Sequence, residues 1–316
     1  MLWLEHVDGV GFRRLGDENS LSGSQTYARV IIELNQLPGN DFLTKELCDP
    51  CRFSGTLILD GKYVAVNEKR FDQKIPFIYG IDYATHDIPY GDLYLAEDEM
   101  AFSDFFTKLK NLGYHLHIVV ADDRAGLKQA LRKVFPYARL QLCQNHYLEN
   151  IRILLKVRSE ETHQHFFNSL KLHVFTPYLN DEEITAGLKH VKEKHAGANF
   201  LLNNILADIE NRRNDLFAYR HFDNCPNNTN LIELYNSHLN GRLKTIKGFQ
   251  DFKSAGRWLN AWLIRRRTKA LTDCETKFKH LNKHCSLEFT IKKQAHWPDI
   301  LETLGIHKIY FFEKSD

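Results

Sequence analysis

From residue 56 to residue 157 the apolar positions switch between short runs and helical stripes. Thr56-Leu57-Ile58-Leu59-Asp60 predicts a strand ending on an acid, with a turn at Gly61 and a returning strand through Tyr63-Val64-Ala65-Val66. Phe77-Ile78-Tyr79-Gly80-Ile81-Asp82 predicts a third strand, and Asp92-Leu93-Tyr94-Leu95 extends the meander. Phe102, Phe105, Phe106 and Leu109 recur at helical spacing, which predicts a helix over 98–112. His117-Ile118-Val119-Val120-Ala121-Asp122 predicts a buried strand that again ends in an acid. A helix over 126–134, a short strand over 140–143 and a helix over 144–157 follow. This order predicts the α/β class, with a mixed sheet and helices on its faces. Asp60 and Asp122 then fall at strand C-termini, where open α/β sheets place their sites.

The flanking patterns are helical. Val10, Phe12 and Leu15 mark a short helix, residues 19–24 a turn, and Tyr27, Val30, Ile31 and Leu34 the stripe of a second helix. The pair resembles a helix-turn-helix, with Gln25 and Arg29 as its exposed readers, although most helical hairpins bind no DNA. It begins so near residue 1 that an earlier helix of such a unit is expected to be missing. Residues 158–225 carry no strong strand signal. Phe166, Phe167, Leu170, Leu172 and Val174, then Phe200, Leu201, Ile205 and Ile209, predict the faces of a helical bundle. A tail over 271–316 reads as helices plus a short strand, Lys308–Phe312. The expected segments are a helix-turn-helix over 1–40, a core over 52–157, a helical insertion over 158–225, the rest of the core over 226–270, and the tail over 271–316.

Between insertion and tail lies the stretch from Thr229 to Phe249. Asn230 as N-cap and Glu233 three residues on fit a capping box. Glu233, Asn236, Ser237, Asn240 and Lys244 share one polar face, and Leu231, Leu234, Tyr235 and Leu239 the opposite, apolar one. Charge adds to this picture. Residues 241–270 hold Arg242, Lys244, Lys247, Lys253, Arg257, Arg265, Arg266, Arg267 and Lys269 against Asp251 alone, a local +8 in a chain of net +2. Such a block fits a polyanion, with Arg242, Lys244, Lys247 and Arg265 to Arg267 gripping phosphates, or else a solvated helix face. Trp258 and Trp262, at i and i+4, read as core.

Composition excludes some classes. Hydrophobic residues at 43% and charged residues at 26% are the balance of a globular protein, and no apolar run nears the ~20 residues of a membrane span. Residues 1–5 do not read as a signal peptide. Six unevenly spaced cysteines in 316 residues are not a disulfide framework, which favours a reducing, cytoplasmic setting. Cys48-Asp49-Pro50-Cys51 is half a zinc site at most, and joining it to Cys143 and His146 as a four-ligand zinc site is the minority expectation. Cys143 more simply reads as a small buried hydrophobe, and His146 as a neighbour of the acids. Asp72, Asp82 and Asp87 read as solvated or turn acids.

Phosphodiester chemistry on DNA uses divalent ions and hard carboxylate ligands. Two strand-end acids and a third on a helix have the required contexts: Asp60, Asp122 and Glu233, 62 and 111 residues apart. Alone, each has a plainer reading as a turn or capping acid. Together with Leu59-Asp60-Gly61, Val120-Ala121-Asp122 with Gly126-Leu127, Cys143-Gln144-Asn145-His146 with Asn150, and Thr229-Asn230-x-x-Glu233-x-x-Asn236 with Gly248-Phe249, the chain resembles the DDE transposases of the Mutator-like superfamily, in its bacterial insertion-sequence branch. The resemblance covers about residues 56–260. It implies a ribonuclease H-like fold with a helical insertion before the glutamate. It also implies Asp60, Asp122 and Glu233 as catalytic acids and Mg²⁺ ligands (Mn²⁺ substituting), with Cys143, His146 and Asn236 in support. The implied partners are double-stranded DNA and a second copy of the chain, near the bacterial nucleoid. The implied activity is cleavage at transposon ends followed by strand transfer. A catalytically silent DNA-binding regulator and a nuclease or resolvase on the same fold are the alternatives. Asp123, beside Asp122, competes for the second acid position.

Overall fold

The computed structural model describes residues 1–67, 74–159, 161–177 and 179–296, with 300, 302 and 304. The strand expected over Lys308–Phe312, and Asp72, lie outside the described residues. The architecture is mixed α/β, with many helices and a five-stranded mixed sheet. The chain divides into two compact units, one of residues 1–117, 125–136 and 231–316, the other of 118–124 and 137–230.

In the first unit the helices α1 (Leu2–Asp8), α2 (Phe12–Glu18), α3 (Gly23–Gln36) and α4 (Asn40–Leu47) lead into the strands β1 (Thr56–Val64), β2 (Ile75–Asp82) and β3 (Tyr90–Leu93). These strands form an antiparallel meander with β2 in the middle. The expected turn at Gly61 is absent. β1 runs through Asp60-Gly61, paired with β2 from Leu57 opposite Asp82 to Val64 opposite Ile75. Asp-Gly is a local turn signal, but the fully buried β2 offers eight residues of continuous ladder, and the ladder wins. Asp60 therefore lies mid-strand, not at a strand end.

Helix α5 (Glu99–Asn111), capped by Asp98, buries Phe102, Phe105, Phe106 and Leu109, the expected stripe. Helix α6 (Leu127–Val134) starts from Gly126, whose φ of +80° and approach to the Glu99 backbone both call for glycine. At the N-terminus a helix does precede the expected pair: α1 buries Leu2, Trp3, Leu4 and Val7. In α3 the capping box Ser22/Gln25 fixes the start, so Gln25 spends its amide oxygen there. Its buried positions are Thr26, Val30 and Leu34, while Tyr27 is exposed. Thr26 returns its hydroxyl to Ser22 O and so tolerates burial where Tyr27 was expected.

The second unit holds β4 (Ile118–Ala121) and β5 (Arg139–Leu142), paired in parallel. After them come α7 (Gln144–Leu154), α8 (Glu161–His173), α9 (Asp181–Val191), α10 (Phe200–Asn211) and α11 (Arg213–Leu216). Phe166, Phe167, Leu170, Val174, Ile205 and Ile209 are buried as expected, but Leu172 and Phe200 are exposed. Buried amides tie the end of this helical run to the start of α7. Gln141 and Gln144 both donate to Leu216 O, at 2.9 and 2.8 Å, and Asn227 donates to Gln144 Oε1 at 2.7 Å.

The chain re-enters the first unit with α12 (Asn230–Ile246) and α13 (Phe252–Thr268). Between them Gly248 takes φ +105°, and Phe249 bridges to Val66 beyond β1, donating its N–H to Ala65 O at 2.9 Å. Along α13 Trp258 and Trp262 are buried, the latter edge-on to Phe77 and Tyr79.

Candidate active site

The α12 face turned inward differs from the expected one. Ile232, Tyr235, Asn236 and Leu239 are buried, whereas Leu234 is exposed. A buried carboxamide is costly unless its donors and acceptors are met. Here both are. Asn236 Nδ2 donates to Asp60 Oδ2 at 2.7 Å, and Asn236 Oδ1 accepts the Tyr79 hydroxyl at 2.9 Å. The backbone N–H of Gly61 donates to Asp60 Oδ1 at 2.8 Å. Tyr79 is fully buried, which pushes its hydroxyl well above the ordinary value and keeps it a donor. A relay Tyr79 to Asn236 to Asp60 thus joins β2, α12 and β1 and fixes the Asp60 carboxylate. Glu233 is exposed on the same helix, one turn before Asn236.

In the other unit Asp122 follows the last residue of β4, with its side chain 19% exposed. His146, in the first turn of α7, places Nδ1 2.7 Å from Asp122 Oδ1. Cys143 Sγ lies 3.2 Å from the same Nδ1, and the buried Thr229 hydroxyl donates to that sulfur at 3.2 Å. Burial raises the Cys143 thiol above its ordinary pKa, against the lowering effect of Thr229. The neighbour Asp123 is more exposed and pairs with Arg212 instead, so the two adjacent acids have separate partners. Thr229 is a site residue that the sequence reading quoted in a motif without giving it a role. Its burial beside a thiol has no periodicity to reveal it.

Among the described residues, the group of three or more side chains able to hold a metal ion is Asp122, Cys143 and His146, whose ligating atoms lie within 4.8 Å of one another. Neither Cys48 nor Cys51 belongs to it. Cys48 is buried with Sγ taking a hydrogen bond from Arg267 at 3.1 Å, and Cys51 is exposed.

The basic block divides. Arg267 is fully buried, with Nε and Nη2 each 2.9 Å from an oxygen of Asp87 and Nη1 bonded to Asn40 and Thr44. Arg265 grips Asp8 with Nε at 3.1 Å from each oxygen. Both were expected to meet DNA phosphates. Carboxylates hold them instead: the fully buried Asp87 holds Arg267, and the partly exposed Asp8 holds Arg265. Arg266 lies half-buried, 4.5 Å above the Tyr235 ring. Arg242 is half-buried against Gly9, whereas Lys244 and Lys247 are exposed. Arg29 is exposed, 3.7 Å from Glu33 on α3. Asp82 and Asp87, expected as solvated or turn acids, are fully buried, and Asp82 takes the turn role by accepting the Thr85 N–H at 3.1 Å. Asp82 accepts from Ser54, Thr85 and Tyr114, and burial raises its pKa.

Residues 41–269 match the model of the family described as "Transposase, Mutator family". The transposase for insertion sequence element IS256 in transposon Tn4001 of Staphylococcus aureus is 30% identical over 176 residues, which is 53% of this chain and 43% of that protein. The transposase for insertion sequence element ISRM5 of Rhizobium meliloti is 34% identical over 153 residues, 46% of this chain and 38% of that protein. The chain thus matches less than half the length of these curated relatives. The family match runs from within α4 to the end of α13 and takes in both carboxylate clusters just described, so this chain belongs to the Mutator family of transposases.

Proposed function

We propose that the chain catalyses metal-dependent DNA cleavage at transposon ends and transfer of the resulting 3′-OH into target DNA, with Asp60, Asp122 and Glu233 as its acids. The observation that carries this reading is the bond from Asn236 to Asp60. It ties the first acid to the helix that bears the third, through a residue one turn from Glu233. A neutral amide orients the carboxylate without cancelling its charge.

Hard carboxylate oxygens on oriented side chains suit Mg²⁺, with Mn²⁺ in its place. Asp60, Asp122 and Glu233 would hold the ions, which when bound supply Lewis acidity to the attacking and leaving oxygens. Asn236 fixes Asp60, and His146 fixes Asp122. Arg29, Lys244 and Lys247 supply cations for DNA phosphates, and a dimer would pair two ends. The relatives carry the word transposase in their names, which supports the same class.

The test mixes purified protein, Mg²⁺, DNA carrying the element's flanking ends and a target plasmid, beside a Glu233→Gln control. Joined products that vanish in the control are expected. Binding without cleavage in both samples would indicate a silent regulator, and cleavage without joining a nuclease or resolvase.

A further inference from the structure

Beside Asp122 the second unit contains a cavity of about 500 Å³. Its volume is in the range of small-ligand sites. Its walls are aliphatic: Leu142, Ile151, Leu154, Leu201 and Ile205. Leu154 keeps 56% of its surface exposed, an apolar side chain left uncovered. Two carboxamides, Asn150 and Asn204, supply paired donors and acceptors. The charged groups are engaged with one another. Arg212 is held by Asp123 and by Asp208 at 3.0 Å, and the Tyr147 hydroxyl donates to Asp208 at 2.7 Å. Asp122, Asp123 and Asp208 outnumber Arg124 and Arg212, so the lining is net negative and disfavours a phosphate inside. What suits it is a neutral ligand with apolar faces and a hydrogen-bonding edge.

We infer that this cavity receives a nucleobase swung out of the duplex, from the nucleotide whose phosphate lies at or beside Asp122. Aliphatic side chains would sandwich the ring, and the Asn150 and Asn204 amides would meet its edge. Asp122 and His146 themselves line the cavity, so a base entering it is within one nucleotide of the candidate chemistry. The inference rests on the transposase reading and adds a subsite to it.

The experiment uses the full chain and three short duplexes of one sequence: fully paired, with a single bulged 2-aminopurine, and with an abasic residue at the bulge. Binding is followed by anisotropy and the base by its emission. The bulged base should bind about tenfold tighter than the abasic bulge, the size of one base-stacking contact, with a change in emission. Leu201→Trp, which fills the cavity, should bring the bulged duplex down to the abasic level, and the exposed Asn204→Ala should reduce the preference without risk to folding. Equal affinity for the two bulges, or a preference that survives Leu201→Trp, overturns the base site while leaving the transposase reading standing. A chain that binds none of the three duplexes removes that reading and the base site with it. A change of oligomeric state in Leu201→Trp with the preference intact would give the cavity to a second copy of the chain.

Discussion

Asp87 and Asp60 belong to the same unit, yet they are partnered in opposite ways. Asp87 is fully buried, takes two hydrogen bonds from Arg267, and accepts from Ser286 at 3.1 Å and Thr290 at 2.6 Å. Asp60 is half-buried, and Asn236, a neutral amide, fixes it. The first arrangement consumes the charge of the acid and contributes to the fold. The second orients an acid through a neutral amide. A carboxylate is therefore judged by its partner as much as by its burial, and three changes test that rule.

The largest effect is expected at Arg267. Arg267→Met leaves Asp87 buried without its cation and should cost about 3–5 kcal/mol of stability. Adding Asp87→Leu should recover most of that loss, since removing both charges also removes the desolvation penalty. Urea unfolding of the full chain measures both. If Arg267 served DNA instead, the single change would leave stability intact and weaken DNA binding, and the contrast with Asp60 would collapse.

Asn236→Ala attacks the other arrangement. Loss of a group that orients a metal ligand typically lowers activity about 10–100-fold. The orphaned Tyr79 hydroxyl should add a stability cost of about 1–3 kcal/mol. Strand-transfer rates under conditions where the variant stays folded separate the two effects. Unchanged rates would mean that Asn236 only satisfies Tyr79, and Asp60 would lose its claim to be an oriented acid.

Much of this was legible in the sequence, and what was not has a physical reason. The α5 stripe, the β4 run and the Trp258/Trp262 core follow from periodicity, because burial of one face leaves a period. Asp60, Asp122 and Glu233 became candidate acids through the order of the motifs that hold them, and their role belongs to the proposed function. Pairings remote in sequence could not. Arg267 reaches Asp87 across 180 residues and Asn236 reaches Asp60 across 176, so the first read as a surface cation and the second as part of a polar face. Gly61 misled for a related reason: a local turn signal lost to a ladder formed with a distant strand.

Asp8 is the intermediate case and should show the smallest effect. It is 30% exposed, bonded by Arg265 and approached by Lys269 at 3.4 Å. Burial alone would raise its pKa, but the hydrogen bonds and charge of Arg265, with Lys269 behind them, outweigh burial and hold it below the ordinary 3.8. An acid whose folded value lies below its unfolded value stabilises the fold above the unfolded value, and that stabilisation is lost as the pH falls through the folded value. Asp8→Asn should thus cost about 1 kcal/mol near neutral pH, as expected of a partly exposed ion pair. The gap between wild type and variant should close as the pH is taken below 3.8, because protonation then does to Asp8 what the substitution did. Urea unfolding at neutral and acid pH reads that gap. A gap that stays constant with pH would show that Asp8 matters through packing of α1 on α13 and not through its charge. An acid paired with arginine at the surface would then behave unlike one paired with arginine inside, and the partner rule would hold only for buried pairs.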